Sequence, residues 1–156
     1  FTLPRSSHDY NCRVKKTRQD APWYAAGLRF SCQQCHNCCR GAQPGWVYVS
    51  QYRIGRIAAL LGIAAKQFRR RFVTNDEHGD KVLKLRPNGD CIFWRGGCTI
   101  YKERPRQCRT FPFWNENLGN RGEWQELKAF CPGIGKGKLY PLQTIRAVFK
   151  GRGTAG

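Results

Sequence analysis

The chain has 156 residues, and its 28 Lys+Arg against 10 Asp+Glu give a formal net charge of +18. That length suits one domain and leaves little room for a second, while the absence of any apolar run of ~18 residues excludes a helix that spans a bilayer. A charge excess of this size repels itself in a compact monomer and seeks polyanionic surroundings such as RNA, anionic lipid or an acidic protein surface.

Residues 1–29 mix Pro, Ser, Arg and aromatic side chains without a period and read as an extended basic arm. Val47-Tyr48-Val49 is a short strand candidate. Ser50 is placed to cap a helix whose apolar residues Ile54, Ile57, Ala58 and Leu61 recur at helical spacing, with Gly62 as its stop. A second short helix carries Phe68 and Phe72 on one face and Lys66, Arg69, Arg70 and Arg71 outward. Asn75 to Asp80 reads as a turn, and Val82-Leu83-Lys84-Leu85 as a strand ending before Pro87-Asn88-Gly89. The stretch from Trp94 to Phe113 reads as irregular, and a last helix over Glu123 to Phe130 delivers Cys131 to the break at Pro132-Gly133. Residues 135–156 read as a second basic arm. The expected architecture is a small irregular α+β domain over 30–134, stapled by cysteine and metal, with extended basic termini. A loop-rich chain of this size needs cross-links or metals to supplement its apolar core.

The nine cysteines supply the material. In Cys32-x2-Cys35-x2-Cys38-Cys39, two-residue gaps let a turning backbone aim successive thiolates at one ion. Regular backbone does not aim the adjacent Cys38 and Cys39 at one point, which leaves one of them for a second site. Cys91, Cys98, Cys108 and Cys131 are the remote ligand candidates. Eight thiols suffice for two tetrahedral sites, or for one cluster with structural thiols left over.

These residues resemble a known family. Phe30-x-Cys32-x2-Cys35-x2-Cys38-Cys39, the Val49-Ser50 helix start, Cys91-x6-Cys98, the run Cys98-Thr99-Ile100-Tyr101-x2-Arg104-Pro105-x2-Cys108-Arg109-x-Phe111-Pro112-Phe113 and the close at Cys131-Pro132-Gly133-Ile134 look like the CxxCxxCC (YkgJ-type) family of zinc- or iron-chelating proteins. The resemblance covers 30–134 and implies chelation by the cysteines without implying a reaction. Ile92-Phe93-Trp94 departs from the Pro-Phe-Leu run more typical after that cysteine. Cys12 lies outside the match and is expected to be a free or buried thiol.

Zinc and an iron–sulfur cluster both accept four thiolates. The x2 spacings with a remote cysteine lean toward a cluster, with Arg104, Arg106 and Arg109 available to offset its negative charge. Three rival readings compete. Disulfides suit a loop-rich chain in an oxidising compartment, but four thiols within eight residues make poor independent bridges. Cys32-Gln33-Gln34-Cys35-His36 matches a c-type haem attachment, a scheme with no role for the adjoining thiols. Thiol redox catalysis by one CxxC pair requires an exposed thiolate of low pKa.

Catalytic groups are sparse. His8, His36 and His78 lack acid–base partners in sequence, and no Gly-rich phosphate loop follows a strand. The arginines interleaved with Tyr101, Phe111, Phe113 and Trp114 suit stacking on bases or contact with phosphate, yet arginine also organises irregular loops through backbone carbonyls, and that reading is preferred. The resulting expectation is a non-catalytic iron–sulfur or zinc protein, an accessory subunit of a large organellar assembly such as a respiratory complex or a mitochondrial ribosome. An electron-transfer iron–sulfur protein and an RNA-binding ribosomal subunit are the alternatives. A basic, acid-poor chain that starts at Phe1 without any methionine fits removal of a presequence on import, with the mitochondrial matrix favoured over a plastid. The expected partner is a large protein or ribonucleoprotein assembly, with RNA contact allowed and no small-molecule substrate.

Overall fold

The computed structural model describes residues 21–41 and 45–150, the last two by backbone alone. In chain order it contains β1 (Leu28–Phe30), a 3₁₀ turn (Asn37–Cys39), α1 (Gln51–Leu60), α2 (Ala65–Phe72), β2 (Val73–Asn75), β3 (Lys81–Leu83), a second 3₁₀ turn (Tyr101–Glu103), α3 (Arg106–Thr110), α4 (Asn115–Leu118), α5 (Arg121–Phe130), β4 (Lys138–Tyr140) and α6 (Leu142–Lys150). The protein is a mixed α+β domain of short elements.

Two apolar cores organise it. The first is drawn from the middle of the chain. The Ser50 hydroxyl accepts from the Arg53 N–H and starts α1, and Gly62, at φ +67°, takes the left-handed conformation that ends it. Ile54 and Ile57 of α1, Phe68 of α2, Leu83 of β3 and Phe93 and Ile100 beyond them are buried together. Phe68 stacks on Phe93 with ring centroids 5.8 Å apart. β2 and β3 pair antiparallel as a hairpin, Val73 opposite Leu83. Across its tight turn, Asp76 accepts from the His78 and Asp80 N–H groups and from the Tyr48 hydroxyl.

The second core joins distant parts of the chain. β1 pairs antiparallel with β4, Leu28 opposite Tyr140 and Phe30 opposite Lys138. Phe30, Phe113, Leu118, Trp124, Cys131, Ile134 and Ile145 bury one another, and Trp23 and Tyr24 pack against them. α5 is closed at its start by a capping box between Asn120 and Glu123. Gly27, at φ +88°, turns the chain into β1 so closely under β4 that a Cβ there would lie 2.6 Å from the Tyr140 carbonyl oxygen.

Three expectations change. Val47-Tyr48-Val49 forms only a bridge at Tyr48 and Val82 rather than a strand, because just two backbone bonds, Val49 N–H to Lys81 and Leu83 N–H to Val47, hold it. The stretch from Trp94 to Phe113 contains α3. The arms read over 1–29 and 135–156 are, within 21–29 and 135–148, packed structure. β1 and β4 are each three residues long, too short to show a period, and their stability comes from pairing with each other. Residues 1–20 and 151–156, and Cys12 with them, lie outside the described residues.

Candidate metal centre

Between the two cores runs a solvent-open cleft, and all eight cysteines singled out above line it: Cys32, Cys35, Cys38, Cys39, Cys91, Cys98, Cys108 and Cys131. None is joined in a disulfide. Cys32, Cys35 and Cys38 are exposed and Cys131 is buried, with the remaining four intermediate.

The loop that carries the first four has a conformation suited to presenting side chains. Gln34 and His36 both adopt positive φ, 52° and 60°, a strained choice for residues other than glycine. The 3₁₀ turn at Asn37–Cys39 follows, closed by the Cys39 N–H donating to the His36 carbonyl. Each end of the loop is tied to a different core. At one end, the Ser31 N–H donates to the Gly133 carbonyl at 3.2 Å. The Asn37 amide donates to the Phe130 carbonyl at 2.7 Å, which holds Cys32 and Cys35 against the segment bearing Cys131. Gly133 is obligatory here because a Cβ would run into the Ser31 carbonyl oxygen. At the other end, the Cys91 N–H donates to the Cys39 carbonyl at 2.8 Å. Buried Asp90 accepts from the Gly41 N–H at 3.0 Å, and the Arg40 guanidinium lies 5.1 Å from the Trp94 ring centroid.

Electrostatics follow this layout. The Cys39 thiol is hydrogen-bonded to both Cys38 and Cys98. Its proton holds Cys38 down to about 7 and Cys98 down to about 6, while Cys39 itself is driven far up. Burial pushes Cys108 up to about 12 and raises Cys91 and Cys131. The Tyr101 hydroxyl donates to the Cys32 sulfur, which raises the phenol. Arg104 is the cation of the cleft: its field favours the thiolate forms of Cys38, Cys98 and Cys108. Its guanidinium carbon sits 3.7 Å from the Tyr101 ring centroid, and its Nε donates to the Tyr101 carbonyl.

A matching family model covers residues 31–132 and carries the description "Putative zinc- or iron-chelating domain". The chain belongs to the CxxCxxCC family. It is therefore a metal-binding cysteine domain, and no solved structure matches it significantly.

The donor set of this CxxCxxCC domain fits a thiophilic ion, since soft sulfur ligands select zinc and iron–sulfur centres. Among the described residues no three Cys, His, Asp or Glu side chains already form a metal-holding group, so the fit is one of donor type and placement rather than of a finished coordination shell. The neighbouring Cys38, Cys39 and Cys98 thiols would have to lose their protons to hold such an ion. Two features escaped the sequence reading. His36 lines the cleft with Gly97 against its ring, 3.5 Å from Nε2 to the position of a Gly97 Cβ. Asp90 anchors the cysteine loop. The pattern Asn88-x-Asp90 before Cys91 signals such an Asx turn, with Asp90 N–H donating to the Asn88 side chain.

Proposed function

We propose that this protein is a non-catalytic subunit whose bound zinc or iron–sulfur centre is structural, holding two small cores together across the cysteine cleft. The observation that carries the reading is that all eight thiols line one cleft, with four contributed by a loop tied to both cores. The metal would supply bonds between ligands far apart in the chain, and its binding free energy becomes folding free energy.

The accessory role in an organellar assembly, such as a respiratory complex or a mitochondrial ribosome on the matrix side, is supported by the +18 charge, which suits docking on a polyanionic or acidic surface. Among the described residues no helix is long and apolar enough to cross a membrane. Sedimentation of a mitochondrial lysate tests this role. Co-migration of the chain with a large complex, released by salt, is expected, and migration as a free chain of 18.0 kDa at low salt contradicts it.

A further inference from the structure

Within that metal-binding reading, on which this inference rests, we propose that the eight thiols form two separate four-thiolate sites. An outer site is made by Cys32, Cys35, Cys38 and Cys131, and an inner one by Cys39, Cys91, Cys98 and Cys108.

Two independent joints separate the groups. The outer group is brought together by the close backbone approach at Gly133 and Ser31 and by the Asn37 bond to the Phe130 carbonyl, one residue from Cys131. The inner group is brought together elsewhere, by the Cys91 N–H bond to Cys39, the Asp90 bond to Gly41 and a backbone approach of Gly41 to Asn88 and Gly89 too close for a Cβ. The thiols sort the same way. Cys131 is buried within the second core, whereas Cys91 and Cys98 pack against the first. The helix that carries Cys108, α3, is held beside the first core by the Tyr48 N–H bond to the Gln107 side-chain oxygen. Cys38 borders both groups. Cys39 fills the inner position through its backbone bond with Cys91, so Cys38 completes the outer set, and the adjacent pair thereby serves two ions. The groups also differ in access: three of the four outer cysteines are exposed residues, whereas all four inner ones are intermediate.

Elemental analysis and sulfide assay of the full chain, purified under reducing conditions from zinc-supplemented cells, test the partition. Two zinc ions per chain are expected, each with four sulfurs by X-ray absorption, and a chelator should remove them in two phases with the exposed site emptied first. Cys32→Ser and Cys131→Ser should each cost one ion, and the double variant no more than one. Cys98→Ser and Cys108→Ser should behave likewise, whereas Cys32→Ser with Cys98→Ser should cost both. One ion per chain, a single four-iron, four-sulfide cluster, or loss of both ions in the Cys32/Cys131 double variant overturns the partition while leaving metal binding intact. A folded chain carrying neither zinc nor iron overturns the metal reading itself. The wild-type stoichiometry decides the matter even where a variant fails to fold.

Discussion

The core around Ile54, Phe68 and Phe93 is drawn from one unbroken stretch, residues 47–100, whereas the core around Phe30, Phe113, Trp124 and Ile145 stitches residues 23–30 to residues 111–148. The first rests on contacts nearer in sequence. The second requires closure of a long loop before its contacts form, an entropic cost that rises with the separation of its parts. The cysteine loop lies between them and is bonded to each, so an ion held there would tie the locally assembled half to the half that depends on distant strands meeting.

Truncating the buried centre of each core tests the comparison most strongly. Phe68→Ala removes a ring fully buried against Phe72 and Phe93 and should cost about 3–5 kcal/mol by urea unfolding. Ile145→Ala, at a side chain as deeply buried in the other core, should cost about 2–5 kcal/mol. An Ile145→Ala protein as stable as wild type would return α6 to the status of a tail.

The two joints of the loop come next. Asp90→Ala leaves the Gly41 N–H and the Asn88 amide without their acceptor and should destabilise by about 1–3 kcal/mol. Gly133→Ala should cost about 1–3 kcal/mol through the clash with the Ser31 carbonyl. Thermal unfolding measures both. If the two joints serve different thiols, Asp90→Ala should speed metal loss from the inner sulfurs and Gly133→Ala from the outer ones. Equal effects on both would merge the joints into one.

A smaller effect is expected where the first core meets Arg104. Glu103 pairs with Arg53 at 2.6 Å and Arg56 at 2.5 Å, fixing the 3₁₀ turn that precedes Arg104. Hydrogen bonding from Arg56 and the charges of both arginines lower the Glu103 carboxyl below its usual value of about 4.5. Its contribution to stability is therefore fully present above that value and is lost as pH falls through the lowered one. Glu103→Gln should reduce the melting temperature slightly at neutral pH and flatten its decline below pH ~4.5. Unchanged pH dependence would remove the ion pairs from the account.

The same contrast governs how much was legible in the sequence. α1 was readable because Ser50, the 3.6-residue recurrence of Ile54, Ile57 and Ala58, and Gly62 are all local signals, and the boundaries found, Gln51–Leu60, match them. α2 and the 75–80 turn were readable for the same reason. β1, β4 and α6 were not. Leu28-Arg29-Phe30 and Lys138-Leu139-Tyr140 carry no periodicity of their own and become strands only by meeting across more than a hundred residues. At the cleft, the spacing of the cysteines named all eight lining thiols. It left their grouping open, because the grouping depends on where Asp90, Gly41 and Gly133 let backbones approach. His36 stayed unassigned, since its place against Gly97 is a property of the folded loop.

The central claim is that metal held by the cleft thiols joins the two cores. Circular dichroism of the reduced full chain, before and after zinc and iron are stripped by a chelator, tests it most directly. The account predicts that stripping lowers helical signal and cooperative unfolding, and that restoring the ion recovers both. A stripped protein whose spectrum and unfolding transition match those of the loaded one would contradict it.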